Sequence, residues 1–268
     1  MIDPHLITMQ LDTNKFSPEI IVLETTESTN MVAKNYLRTG LSEVVVVVSK
    51  TQTSGIGRHE RVWFSPAGGL FMSIAIRNNL LSGNYPLVGI LAGCACAAVI
   101  RDLFSISVNV KWPNDIMVNE LKLGGILSEL IIEDNEVLGV VIGIGINQNV
   151  SIDKFPSEFR VQSTSILNEV GHHTSIERLI SGILNAFDSR FDIFKNEESF
   201  DSIMSEWNEL CGTIGRTVQV FPIDESKPPI TGEAIGISKD GSLIVITDSG
   251  EQLLIDSGEV RHLRTEET

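Results

Sequence analysis

Glu43-Val44-Val45-Val46-Val47-Val48-Ser49-Lys50 sets the architecture. Five successive valines are stiff at χ1 and disfavour a helix, and a run that is apolar at odd and even positions alike leaves no face for solvent. The segment reads as an interior strand of a sheet covered on both sides. Upstream, Glu19 to Glu24 reads as another strand. A helix follows, with Ser28 or Thr29 as its N-cap hydroxyl, running to Arg38 and stopping at Gly40. Residues 1–18 show no sustained period and read as an arm or a short strand. Downstream, Leu70 to Arg77 is the next strand and Pro86 to Phe104 a long apolar helix. Strand signals recur at Ser107–Lys111, Ile116–Asn119, Gly125–Glu133 and Val137–Ile142, with Asp134-Asn135 as a turn. Helices resume at Ser175–Lys195 and Phe200–Leu210. From Gly212 the texture changes to short strands at Thr217–Phe221, Thr231–Ile237, Leu243–Thr247, Gln252–Ile255 and Val260–Leu263, punctuated by Asp240-Gly241 and Ser249-Gly250. The expected fold is α+β: a mixed β-sheet backed by helices over residues 1–212, with 1–18 as an N-terminal arm, then a small five-stranded β-barrel over 213–268.

Composition narrows the function. The chain has 268 residues, with 20 Lys plus Arg against 35 Asp plus Glu and a formal net charge of -15. Such a surface gains nothing from releasing counterions from phosphates, so DNA and RNA are not expected partners. Residues 213–268 hold five basic against ten acidic side chains, which argues against a nucleic-acid-binding barrel. Cys94, Cys96 and Cys211 form neither a disulfide framework nor a zinc spacing, and the N-terminus shows no secretory signal, so a cytoplasmic location is expected. The apolar stretch Leu87–Ile100 reads as a buried helix too short for a bilayer core of about 30 Å, and no membrane partner is expected. The N-terminus leaves no room for a DNA-binding helical domain.

Several stretches carry chemistry. Gln52-Thr53-Ser54-Gly55-Ile56-Gly57-Arg58-His59-Glu60-Arg61-Val62-Trp63 leaves the valine strand within a long connection rich in Gly, Ser, Thr and Arg. Its glycines allow close approach to an anion, its arginines offer forked donors, and Trp63 offers a face for a purine. Being long and polar, it is expected to move while its site is empty. Lys111-Trp112-Pro113-Asn114-Asp115 sits at a strand end, where a cation fixed by the backbone can be aimed at developing negative charge. Glycines interrupt apolar strands in Lys122-Leu123-Gly124-Gly125-Ile126-Leu127 and Gly143-Ile144-Gly145-Ile146-Asn147, as a bulge or a ligand on the sheet would require. Taken singly, each has a plainer reading: a solvated loop, an ordinary turn, close strand packing, or a helix cap for Ser28-Thr29-Asn30. His172-His173 lacks a further ligand at metal spacing and Cys94-x-Cys96 falls on different helix faces, so no metal site is expected.

Together and in this order, the motifs resemble biotin protein ligases, in the form without an N-terminal DNA-binding domain. The likeness spans about residues 20 to 265 and includes Trp63-Phe64-Ser65-Pro66 and Gly258-Glu259-Val260. It implies a class II synthetase-like catalytic domain with a C-terminal SH3-like barrel. It also implies a ligase that activates biotin with ATP, brought in with Mg2+, and passes biotin to a lysine of a biotin carboxyl carrier domain. No tightly bound metal is implied, and a homodimer is left open. By the same resemblance, Ser28, Thr29, Asn30, Gln52, Gly55, Ile56, Gly57, Arg58, Lys111, Gly124 and Gly143 would surround biotin. Arg58, Arg61, Trp63, Lys111, Asn114, Gly145 and Asn147 would hold ATP or the adenylate, with Lys111 and Arg58 as the catalytic pair. Ile56 stands where the family loop commonly has a basic residue, and Glu60 where a small one is usual. The rival readings are a lipoyl or octanoyl ligase or transferase, which would lack the Lys-Trp-Pro-Asn-Asp run, and a non-catalytic sensor of biotinyl-adenylate.

Overall fold

The computed structural model describes residues 2–263 apart from Leu41, Ser82, Asn84, Lys195, Asn196 and Glu225. In chain order the elements begin with α1 (Pro4–Met9), β1 (Glu19–Thr26), α2 (Thr29–Thr39), β2 (Val44–Gln52), β3 (Leu70–Arg77) and α3 (Leu87–Phe104). They continue with β4 (Val108–Lys111), β5 (Asp115–Val118), β6 (Leu121–Glu133) and β7 (Glu136–Ile146). Then come α4 (Ser157–Arg160), α5 (Ile166–Val170), α6 (Ile176–Arg190) and α7 (Glu197–Leu210). Last are β8 (Thr217–Phe221), β9 (Ile230–Ile237), β10 (Leu243–Thr247), β11 (Gln252–Ile255) and β12 (Glu259–His262).

The first seven strands form one mixed sheet in the order β1-β2-β3-β7-β6-β5-β4, parallel between β1 and β2 and antiparallel elsewhere. The valine run is an interior strand with both faces buried. Val44, Val46 and Val48 join the core that holds α3, whereas Val45 and Val47 pack with Ala33 and Leu37 of α2 on the other face. On its own face α3 lies against β4, β5, β6 and β7 and beneath α6 and α7. It runs four residues beyond Ile100, making 18 residues apolar enough by length and composition to cross a membrane. The expectation that it would be too short therefore fails. Instead it forms the centre of the main core, 67% buried.

Other departures are local. Residues 1–18 contain a short helix rather than a strand. Asp3 caps α1, Pro4 starts it, and Ile7 is buried against α6. The buried Asp188 carboxylate then accepts the backbone N–H groups of Asn14, Lys15 and Phe16 at 3.0, 2.8 and 3.2 Å, tying the arm to α6. The helix expected over Ser175–Lys195 is α6 followed by a 3-10 turn at Phe191–Phe194, and Lys195 lies outside the described residues. The C-terminal strands form a five-stranded antiparallel sheet, order β11-β10-β9-β8-β12. The segment leading into it meets the main sheet at β4, where Gly212 N–H donates to Val110 O at 2.9 Å.

Candidate active site

A cleft of about 350 Å3 opens where the 52–63 segment, the β4–β5 turn, the ends of β6 and β7, α4 and the β12 edge converge. The 52–63 segment is folded as a hairpin. Gly57 N–H donates to Arg61 O at 2.7 Å and Trp63 N–H to Gly55 O at 2.8 Å, with Ile56 bridged to Val62 between them. The turn at Arg58–Glu60 places His59 and Glu60 at φ 54° and 58°. A non-glycine side chain is strained in that conformation. Arg61 ties the hairpin to the C-terminal sheet, its Nη2 lying 2.5 Å from Glu259 Oε2 on β12.

The floor is the sheet itself. Gly125 of β6 and Gly145 of β7 are register partners, and the Trp63 indole lies across both. A Cβ on Gly145 would come within 2.6 Å of that ring, so the strand glycine is what lets the indole down onto the sheet. Lys122 Nζ stands 5.4 Å from the ring centroid and 2.5 Å from Asp115 Oδ1. Trp63 Nε1 is buried without a partner among the described residues.

Behind the floor runs a polar relay. Asn30 lies on Gly143, donates to Glu129 Oε2 at 2.6 Å and accepts from Ser73 Oγ at 2.6 Å. Ser73 Oγ also lies 2.7 Å from Thr29 Oγ1, whose own hydroxyl donates to Gln52 Oε1 at 3.2 Å. Gln52 Oε1 accepts the Thr29 N–H at 2.9 Å, and Gln52 Nε2 donates to Ser65 Oγ at 2.9 Å. Ser65 in turn donates to the Trp63 carbonyl at 2.9 Å. The hydroxyl of Ser28 makes no capping bond, and Gln52 satisfies the first amide of α2 from 23 residues away.

Of the side chains expected at the site, Thr29, Gln52, Ile56, Gly57, Arg58, Arg61, Trp63, Lys111, Asn114, Gly143, Gly145 and Asn147 line the cleft. Ser28, Asn30, Gly55 and Gly124 stand behind its wall. Asn114 and Asn147 spend their amide donors on backbone carbonyls, Asn114 on Ile126 O at 2.7 Å and Asn147 on Thr164 O at 3.0 Å. Sequence reasoning passed over Phe155, Phe159 and Gln162, which complete the wall from an irregular stretch with no periodic signal. It quoted Asp115, Lys122 and Glu259 within motifs without giving them roles.

The charges are unevenly committed. Lys122 is neutralised by Asp115 and Arg61 by Glu259. The side chains of Lys111 and Arg58 make neither an ion pair nor a hydrogen bond among the described residues. Burial draws the Arg58 guanidinium below its usual value, against the pull of Asp115 and with a small push from Arg61. A cleft with two uncommitted cations over an apolar floor is prepared for an anion with a flat or apolar body.

The chain is similar to proteins of known family. The model of the Biotin/lipoate A/B protein ligase family matches residues 22–147, and that of the Biotin protein ligase C terminal domain matches residues 213–263. The bifunctional ligase/repressor BirA of Bacillus subtilis is 31% identical over 245 residues, covering 91% of this chain and 74% of its own. The biotin--[acetyl-CoA-carboxylase] ligase of Paracoccus denitrificans is 29% identical over 244 residues, 87% of this chain and 96% of that protein. The solved biotin protein ligase of Aquifex aeolicus, in complex with biotin and ATP, aligns with a TM-score of 0.79 at 25% identity over 91% of this chain and 99% of its own. With both family models matched in order and nearly a third of its residues shared with such a relative, the chain belongs to the biotin protein ligase family.

Proposed function

We infer that this protein joins biotin to ATP and then to a carrier protein. The biotin carboxylate attacks the α-phosphorus of ATP, forming biotinyl-5'-adenylate and releasing pyrophosphate. The ε-amine of a carrier lysine then attacks the mixed anhydride, forming an amide and releasing AMP. Both reactants of the first step are anions, so the barrier is dominated by their repulsion and by positioning. Lys111 and Arg58, the two cations left uncommitted in the cleft, are the observation that carries this reading.

In this reading Ser28, Thr29, Asn30 and Gln52 place the ureido end of biotin, with the Gly55–Gly57 backbone, Gly124 and Gly143 shaping the pocket around it. Lys111 and Arg58 offset the charge of the carboxylate and the α-phosphate. Trp63, Arg61, Asn114, Gly145 and Asn147 bound the nucleotide end. Mg2+ arrives with ATP as part of the substrate, and no group of three or more metal-binding side chains is found among the described residues. Residues 1–212 serve as the catalytic unit and 213–268 as the C-terminal unit, of which 264–268 lie outside the described residues. The carrier is a biotin carboxyl carrier domain of a carboxylase. Three unpaired, buried cysteines suit a reducing cytoplasm.

The test is biotin-dependent exchange of labelled pyrophosphate into ATP, followed by transfer of labelled biotin to a purified carrier domain. Exchange that proceeds without biotin, or not at all, would sink the proposal. Exchange without transfer would reduce the protein to an adenylate-forming sensor.

A further inference from the structure

Lys111 is held from the C-terminal unit. It is the last residue of β4, and the residue after it, Trp112, is 3% exposed. Trp112 is gripped twice: its backbone N–H donates to Thr213 Oγ1 at 3.1 Å, and its indole N–H donates to Gly241 O at 3.0 Å. Thr213 is fully buried, and its Oγ1 also lies 3.2 Å from His262 Nε2 on β12. The other ring nitrogen, Nδ1, lies 3.2 Å from Arg216 Nη1 and 4.0 Å from Glu120 Oε2.

The donors and acceptors in this chain have one consistent arrangement. A guanidinium only donates, so His262 Nδ1 must accept from Arg216, and the ring proton sits on Nε2. Nε2–H then donates to Thr213 Oγ1, which uses its two lone pairs for His262 and for the Trp112 amide. A second ring proton would point Nδ1–H at the Arg216 donor, and Lys111 lies close enough to oppose it as well. Burial, Lys111 and Arg216 accordingly push the His262 pKa down to about 4, with Glu120 opposing, so the ring is neutral at physiological pH.

We propose that Thr213 and His262 are positioning residues for adenylate formation, acting from the C-terminal unit through the Trp112 amide to fix Lys111 over the cleft. This rests on Lys111 being the cation that meets the reacting anions. Thr213 is surrounded by core, so a merely structural role would show as a loss of stability alone. Positioning predicts a loss of turnover that depends on Lys111.

The measurement is biotin-dependent pyrophosphate exchange with the full chain, alongside thermal unfolding. Thr213→Val keeps the volume and removes the hydroxyl. It should lower kcat about tenfold, as expected when the buried Trp112 amide loses its partner, while the KM for biotin stays put. Thr213→Ser should restore the rate. In a Lys111→Ala background Thr213→Val should cost nothing further, because the two losses are one loss. Wild-type exchange by Thr213→Val, or losses that multiply in the double variant, would overturn the proposal. Normal exchange by Lys111→Ala alone would instead overturn the reading of the cleft, and the proposal with it. Should Thr213→Val fail to fold, the His262 pair decides. His262→Gln, which carries an N–H donor of similar reach, should exchange faster than His262→Leu, and equal rates would refute the role.

Discussion

Lys111 and Arg58 hold their charge under different constraints. Arg58 is partly desolvated on a hairpin turn, whereas Lys111 ends a strand whose next residue is pinned. The fixed cation is the one whose loss falls on the chemical step. Lys111→Ala should slow pyrophosphate exchange by roughly a hundredfold, the scale for removing one preorganised electrostatic group, with an unchanged unfolding midpoint. His262 gives a prediction about stability. Its folded pKa of about 4 lies below the usual histidine range, so in the window between them the unfolded chain binds a proton that the native chain refuses. Stability from this group is intact above that range and is lost as the pH falls toward about 4. Denaturant midpoints measured from pH 7 to pH 4 should fall more steeply in the wild type than in His262→Gln.

At the level of elements, the sequence was most legible where the pattern is local. β2 follows from an uninterrupted valine run, β3 from an apolar run broken by Ser73, and the C-terminal strands from alternation broken by Asp-Gly and Ser-Gly turns. β7 extends through Gly143 and Gly145 to Ile146, past the Ile142 expected from sequence, because glycine weakens strand propensity and only the pairing to β3 and β6 reveals the strand. α1, α4 and α5 have 6, 4 and 5 residues, too few to display a helical period. Ser28 is the N-cap of α2 as expected, but the first amide is taken by Gln52, which is distant in sequence and near only in the fold. For the same reason the clustering of Thr29, Gln52, Lys111 and Gly143 was readable through family resemblance but not from periodicity. The 52–63 segment, expected to be a moving loop, is a hairpin whose far end is tied by Arg61 to Glu259. Glu259→Ala should speed trypsin cleavage at Arg58 and Arg61, mapped by mass spectrometry, and biotin plus ATP should slow it in the wild type. An exposed ion pair contributes only about 0–1 kcal/mol, so global stability should hardly change.

Across the whole molecule, one apolar helix organises both stability and the placement of the site. Leu91 is fully buried in α3, and Leu91→Ala should cost about 2–5 kcal/mol in urea unfolding. With a net charge of -15, the protein should leave duplex DNA unretarded at physiological salt whether or not biotin is present, as a mobility-shift assay would report. The three tryptophans, moreover, sit in unlike settings. Trp207 is 1% exposed in the core, Trp112 borders the cleft but is 3% exposed and hydrogen-bonded to Gly241 O, and Trp63 lines the cleft with a lysine ammonium over its ring and its N–H unused. Light absorbed by Trp207 is emitted from core surroundings away from the cleft. Any change in intrinsic emission on adding biotin and ATP should therefore come from the two tryptophans of the cleft, chiefly the more open Trp63, and shrink in Trp63→Phe, so that the protein signals the occupancy of its own cleft without a label.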